Sequence, residues 1–231
     1  MKSYDAIFFD LDGTLLPMDL EEFTQTYFGL LANYLNMDPK VLIPAIWSGT
    51  KAMISNDGTM TNEDRFWSVF SRFMGPEIRA REPEFAQFYV TDFHKAKAVT
   101  GENPLAKAVV ELARKQAGTV MLATNPLFPR CGVESRLSWI GLKPEDFDYV
   151  TTYENSYFCK PTADYYLHIC RTLKLDPTRC LMIGNDLRED GQGAAQIGMT
   201  VHIVTDSLIT HDLDLKDWPH STFAALADLL A

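Results

Sequence analysis

Phe8-Phe9-Asp10-Leu11-Asp12-Gly13-Thr14-Leu15-Leu16 continues an apolar run that begins at Ala6. An unbroken apolar and aromatic run of this kind, ended by a glycine turn, is the pattern of a strand buried on both faces. Ala6 to Phe9 is therefore predicted as a strand, with Asp10 and Asp12 where it ends. Residues two apart on an extended chain point the same way, so both carboxylates can face one point while Leu11 faces away. Two unit charges roughly 4 Å apart repel by about 4 kcal/mol at an effective dielectric near 20. Such a pair calls for a counter-ion or a shifted pKa, and a hard divalent metal ion would resolve the conflict. Gly13 permits a turn that a bulky residue would not tolerate, and Thr14 sets a hydroxyl beside the pair. The competing reading of Asp-x-Asp-Gly is a plain surface turn after a strand, and the rest of the chain decides between the two.

The chain has 231 residues, 46% of them hydrophobic, enough for a substantial core in one domain or two. A net charge of -10 and a pI near 4.9 disfavour nucleic acid or an anionic membrane as the main partner. A small phosphorylated metabolite remains compatible, because a metal with one or two lysines supplies local positive charge inside an acidic protein. Cys131, Cys159, Cys170 and Cys180 form no CxxC pair and interleave with no histidine pattern, which disfavours zinc and a disulfide framework. They read as reduced and packed, with Cys159 notable for preceding a candidate functional lysine. No apolar leader opens the chain and no run could span a bilayer, so a cytoplasmic location is expected.

Strand and helix alternation is interrupted after Leu16 by a segment with aromatic residues at helical spacing. Tyr27, Leu30, Leu31 and Tyr34, then Phe66, Phe70 and Phe73, mark amphipathic helices that pack together, with Gly49, Asn56, Asp57 and Gly58 as turn residues between them. Most of these aromatic residues are expected to be core. Alternation resumes at Asn103. Asn103 and Pro104 suit an N-cap and first helical position, Leu105, Val109 and Leu112 give a buried stripe, and Gly118 suits a left-handed helix end. Strands follow at Val120 to Ala123, Tyr149 to Thr152, Cys180 to Ile183 and Val201 to Val204. Helices are expected from about Thr162 to Leu173, up to Gly198, and from Ser221 to Leu230. The fold class is α/β, a doubly wound parallel sheet with an inserted helical domain, and ligands in such sheets bind beyond the carboxyl ends of the strands.

Several strand ends bring chemistry to that edge. Thr124 and Asn125 follow the second strand with a hydroxyl and an amide, both able to bind a phosphate oxygen, although a turn is the commoner use of such a pair. Lys160 precedes Pro161, which holds its backbone extended, and it offers a positive charge to balance carboxylates and hold a phosphoryl group. Gly184, Asn185, Asp186 and Asp190 follow the strand Cys180 to Ile183. Asp10, Asp186 and the backbone carbonyl of Asp12 could form part of an octahedral oxygen shell, which suits Mg²⁺. Gly191, Gly193 and Gly198 have the wrong spacing for a dinucleotide fingerprint.

Taken in order, FFDLDGTLL, LATN, CKP and IGNDLRED closely resemble the four motifs of the haloacid dehalogenase superfamily. The resemblance implies a Rossmann-like catalytic core from residues 1–16 and 101–231, and a helical type 1 cap over 17–100. It also implies Mg²⁺ dependence, Asp10 as nucleophile, Asp12 as acid and base, Thr124 at the phosphate, and Lys160 steadying the cluster. One departure is that many members carry Gly-Asp after the last catalytic strand, where this chain has Gly184-Asn185-Asp186. The variant is similar to the Glu-Asp arrangement of β-phosphoglucomutases, whose second residue meets the metal. Asp186 is therefore expected as a metal ligand alongside Asp10 and Asp12, with Asn185 acting through water and Asp190 near Lys160.

These readings predict a Mg²⁺-dependent phosphatase working through an aspartyl-phosphate. True dehalogenases generally lack an acid at the position of Asp12, which argues against halide chemistry. Phosphonate hydrolysis would need a Schiff-base lysine from the cap, for which Lys51 is the candidate. A sugar phosphomutase or other phosphotransferase, and a catalytically silent binding protein of the same fold, are the alternatives. The cap is expected to set substrate choice, with Lys51, Arg65, Arg72, Arg79 and Arg81 as candidates for binding an anionic substrate. Oligomeric state is not legible.

Overall fold

The computed structural model describes residues 3–231. Tyr4–Phe9 forms strand β1, and its last four residues are buried, as a run without a polar break requires. It is hydrogen-bonded on one side to β2 (Ala117–Leu122) and on the other to β4 (Cys180–Gly184). With β3 (Tyr149–Val150), β5 (Thr200–Val204) and β6 (His220–Ser221) these make a six-stranded sheet in the order β3-β2-β1-β4-β5-β6. Every pairing is parallel.

Alternation along β1 divides the core. Ile7 and Phe9 pack on one face with Val109 of α5 (Ala106–Gln116) and Phe223 of α9 (Phe223–Leu230). Ala6 and Phe8 pack on the other with Tyr165, Tyr166 and Ile169 of α7 (Ala163–Leu173). Both faces are thus covered by helices, completed by α6 (Arg130–Trp139) and the short α8 (Gly193–Ala195). The fold class is the doubly wound α/β arrangement that the strand and helix alternation predicts.

Between β1 and α5 the chain forms α1 (Leu20–Leu35), α2 (Pro39–Ile54), α3 (Asn62–Met74) and α4 (Glu82–Tyr89). Three of these starts are set by side chains that accept a first-turn N–H: Asp19 from Glu22, Asp38 from Lys40 and Thr61 from Asp64. The predicted stripes are largely internal. Tyr27, Leu31 and Phe70 are buried and Leu30, Tyr34 and Phe66 partly so, whereas Phe73 is 63% exposed near the end of α3. Aromatic rings also dock this insert on α6 and the loop before it. Phe93 lies 5.1 Å from Trp139 and Tyr27 lies 5.4 Å from Phe128, centroid to centroid.

Some local expectations differ. Gly49 lies inside α2, where an added Cβ would sit 2.5 Å from the Phe66 ring, so it serves close helix packing and not a turn. α5 starts at Ala106, after Asn103 accepts the Leu105 N–H at 3.2 Å in a side-chain turn and donates to the Leu15 carbonyl at 2.8 Å. Leu105 is in consequence 39% exposed. Gly118 lies within β2, where a Cβ would meet the Asp5 carbonyl oxygen at 2.9 Å. β3 closes at Val150, although Thr151 N–H still bonds the Leu122 carbonyl at 3.0 Å. The segment before Gly198 is a π-helical turn, Leu187–Gln192, followed by α8. β6 has no counterpart in the sequence reading, because two polar residues carry no strand period. The four cysteines are free, and Cys159, Cys170 and Cys180 are buried. Among the described residues no helix is long and apolar enough to cross a membrane.

Candidate active site

Asp10 is the first residue past β1, and its N–H still bonds the Ile183 carbonyl of β4 at 2.9 Å, so the sheet fixes its backbone. The chain then turns through Leu11 to Leu16, closed by Gly13 N–H to the Leu16 carbonyl and Leu16 N–H to the Leu11 carbonyl, both 2.8 Å. Gly13 has φ 87°, in the left-handed region, and an added Cβ would overlap the Asn185 side-chain amide. Gly13→Ala should therefore cost roughly 1–3 kcal/mol of stability and push Asn185 away from the turn. A urea midpoint within error of wild type would show that the turn relaxes without strain.

Asp10, 7% exposed, accepts from the Lys160 ammonium at 2.9 Å through Oδ1. Its Oδ2 and the Asn185 Oδ1 share the Thr14 hydroxyl, at 3.3 and 3.0 Å. Lys160 is fully enclosed and donates also to Asp190 Oδ1 at 2.6 Å. Asp190 in turn accepts the N–H groups of Asn185 and Asp186 through Oδ2, at 3.0 and 3.1 Å. Asp10, Asp190 and the main chain after β4 are thus joined through one lysine.

Burial pushes the Asp10 carboxyl up to about 7; Lys160 opposes this, and the nearby charges of Asp190 and Asp12 reinforce it. For Lys160, burial works against the charge, but Asp10 and Asp190 outweigh it and hold the ammonium well above lysine's ordinary range. The cluster is rich in negative charge with few cations. Glu189 adds to it: burial pushes its carboxyl up to about 8, against the pull of Lys160, and it accepts from the Asn125 amide at 3.0 and 2.9 Å.

Asp12 leads elsewhere. Its Oδ2 is paired with the guanidinium of Arg136, a fully buried side chain on α6 that also donates to the Gly132 carbonyl and lies 4.2 Å over the Phe128 ring. Asp12 Oδ1 and Arg136 Nη2 are buried without a partner among the described residues. The sequence reading did not single out Arg136. Its only signal is position: it follows Gly132 by four residues and Val133 by three, so a lone arginine sits on the buried face of a helix. Arg136→Met would leave Asp12 uncompensated and should destabilise the protein by about 3–5 kcal/mol in urea unfolding. A loss below about 1 kcal/mol would mean that the pair contributes little.

Thr124 is buried, and its carbonyl is pinned by the hydroxyls of Thr151 at 2.7 Å and Tyr165 at 3.0 Å. This fixes the loop after β2 at the same sheet edge as Asp10. Asp186, by contrast, has both carboxylate oxygens engaged. Oδ1 accepts the N–H groups of Arg188 and Glu189 at 2.8 Å each, and Oδ2 meets His211 Nε2 at 2.7 Å. Consecutive residues on extended chain face opposite ways, so when Asn185 turns toward Asp10, Asp186 turns from it. The contacts therefore favour Asn185 over Asp186 as the residue of this pair that reaches the Asp10 turn, the reverse of the order that the resemblance implies.

Among the described residues no three His, Cys, Asp or Glu side chains are grouped to hold a metal. The oxygen set nevertheless fits a hard divalent ion. Asp10 Oδ2 and Asn185 Oδ1 converge on one hydroxyl, and the Asp12 main-chain carbonyl belongs to the same turn.

The family model for haloacid dehalogenase-like hydrolases matches residues 4–198. Among solved structures, the chain is similar to a 2-haloacid dehalogenase from Pseudomonas syringae pv. Tomato DC3000, with 18% identity, 98% of each chain covered and a TM-score of 0.64. A HAD-hydrolase from Bacillus subtilis bound to magnesium gives 17% identity, 99% of each chain and 0.62. A predicted phosphoglycolate phosphatase from Haemophilus somnus 129pt gives 19% identity, 100% of each chain and 0.60. No curated protein sequence matches. At these identities the structural likeness establishes the fold, and the chemistry rests on the residues themselves.

Proposed function

The chain belongs to the haloacid dehalogenase-like hydrolases, and from that premise we propose that it is a Mg²⁺-dependent phosphatase that hydrolyses a small phosphate monoester through an aspartyl-phosphate. The observation that carries this reading is the pairing of two differently furnished carboxylates. Asp10 is enclosed and held by Lys160, while Asp12 keeps one oxygen, Oδ1, without a partner.

One carboxylate oxygen of Asp10 attacks phosphorus, and the bond from phosphorus to the leaving oxygen breaks. Asp12 Oδ1 gives that oxygen its proton, then takes a proton from the water whose oxygen displaces Asp10 and forms inorganic phosphate. Lys160 balances charge on the transferring group, and Thr124 and Asn125 lie on the loop that would hold the phosphate oxygens. Asp10, Asn185 and the Asp12 carbonyl would hold Mg²⁺, which when bound supplies positive charge against the phosphate oxygens. Asp190 fixes Lys160 and the turn carrying Asn185.

Structural neighbours include both phosphatases and a dehalogenase, and the carboxylate at position 12 favours the former, since halide departure needs no proton. Lys51 is exposed on α2, which gives no support to a Schiff-base role. The segment 17–100 acts in this reading as the cap over residues 1–16 and 101–231, and the four free cysteines support a cytoplasmic location. Phosphate release from p-nitrophenyl phosphate should fall at least about 100-fold in EDTA and return with Mg²⁺. Full activity in chelator would remove the metal from the proposal. Chloride release from 2-chloropropionate without phosphate release would replace the proposal by dehalogenation, and an isomerised sugar phosphate would replace it by phosphotransfer.

A further inference from the structure

A cavity of about 370 Å³ opens beside Asp12, walled chiefly by α1 to α4 of the insert and by the loop before α6. Its walls are aromatic and aliphatic, with Tyr27, Phe28, Trp47, Phe66, Trp67 and Phe128 among them. The charged residues that line it are all acidic: Asp12, Glu63, Glu82 and Glu154. None of the basic side chains expected to grip an anionic substrate lines it. Arg65 is paired with Asp57 at 2.6 Å, Arg79 with Glu82 at 3.0 Å and Arg81 with Glu84 at 2.7 Å, while Lys51 and Arg72 are not among the lining residues. Two buried polar atoms on residues of this wall have no partner among the described residues, Asp12 Oδ1 and Trp67 Nε1.

We propose that the cavity takes the leaving group of the phosphate ester, and that this group is an apolar alcohol of aromatic or medium-chain size, without negative charge, bearing a hydrogen-bond acceptor for Trp67 Nε1. The inference rests on the phosphatase reading and deepens it. Asp12 is the link, because the oxygen that it protonates must lie beside it, and the remainder of the alcohol then extends into the space that Asp12 lines. A carboxylate or second phosphate there would be desolvated beside three glutamates, and the cations beside this wall are already engaged, Arg79 with Glu63 at 3.4 Å and Glu82 at 3.0 Å and Arg136 with Asp12. A polyol would give up water along its whole length to walls that are mostly aromatic and aliphatic, with only scattered acceptors to replace it. An apolar chain loses only contact with water, and a buried indole N–H left unpaired is satisfied by one acceptor on the ligand.

The test measures kcat/KM for phosphate release, with Mg²⁺, from monophosphates of alcohols of similar intrinsic reactivity: ethyl, butyl, hexyl and 2-phenylethyl phosphate against glycerol 3-phosphate, glucose 6-phosphate and 2-phosphoglycolate. The expected result is a rise of about fourfold per methylene along the alkyl series and a preference of at least about 100-fold for hexyl or phenylethyl phosphate over the polyol and carboxylate esters. Equal or better hydrolysis of the latter overturns the inference and leaves the phosphatase reading intact. Absence of phosphate release from every ester overturns both. Trp67→Phe, which keeps an aromatic ring and removes the N–H, should reduce about fivefold the ratio of kcat/KM for 4-methoxybutyl phosphate to that for hexyl phosphate. An unchanged ratio would overturn the role given to Trp67.

Discussion

Asp10→Asn should release phosphate at least about 10⁴-fold more slowly than wild type while remaining as stable or more so. An amide has the shape of the carboxylate, its oxygen still accepts from Lys160 and its NH2 can donate to the Thr14 hydroxyl, but that oxygen is a poor nucleophile and forms no acyl phosphate. Stability should not fall, because burial is the largest influence on Asp10 and opposes its charge, and Asp190 and Asp12 oppose it too. Removing that charge relieves two repulsions at the cost of one attraction, to Lys160. Kinetics and urea unfolding on the same preparation separate the two outcomes. Acid quenching of wild type during turnover should also leave a phosphoryl group on the peptide that contains Asp10, and the variant should carry none. Turnover within tenfold of wild type in Asp10→Asn would end the nucleophile assignment.

Much of this site is legible because charge and periodicity are local. A four-residue apolar run fixes β1 and its end fixes Asp10, whereas Asp12, close enough for its charge to act on Asp10, turns to Arg136. The run Cys180 to Ile183 does the same for the residues that follow β4. What is not legible depends on chain distant in sequence. Arg136 meets Asp12 across 124 residues, and nothing in its immediate sequence announces a partner. Whether Asn185 or Asp186 turns inward depends in part on His211, 25 residues beyond Asp186. Gly49 and Gly118 look like turn residues until Phe66 and the Asp5 carbonyl are placed against them. The aromatic stripes are legible as helical faces, but their double use is not. Tyr27, Phe66 and Trp67 belong to the core cluster and also wall the cavity, because four helices enclose a space that no single helix defines.

Lys160→Met should lower stability by about 3–5 kcal/mol, the cost of stripping a buried ion cluster of its cation. The ammonium is fully enclosed and lies between Asp10 at 2.9 Å and Asp190 at 2.6 Å, so its loss leaves two largely buried carboxylates facing each other. Methionine fills similar volume, which separates the charge effect from a cavity effect. Lys160→Met/Asp190→Asn should then recover about 1–2 kcal/mol, since one of the two stranded charges is gone and the amide oxygen introduced at position 190 can still accept from the N–H groups of residues 185 and 186. Activity should stay at least about 100-fold down in both variants, because the transferring phosphoryl group has lost its fixed positive charge and the double change does not replace it. Stability that recovers while turnover does not would identify Lys160 as serving fold and chemistry through the same charge. If the single variant instead unfolds within about 1 kcal/mol of wild type, the carboxylates are compensated by some other cation, and the electrostatic account of the cluster fails with it.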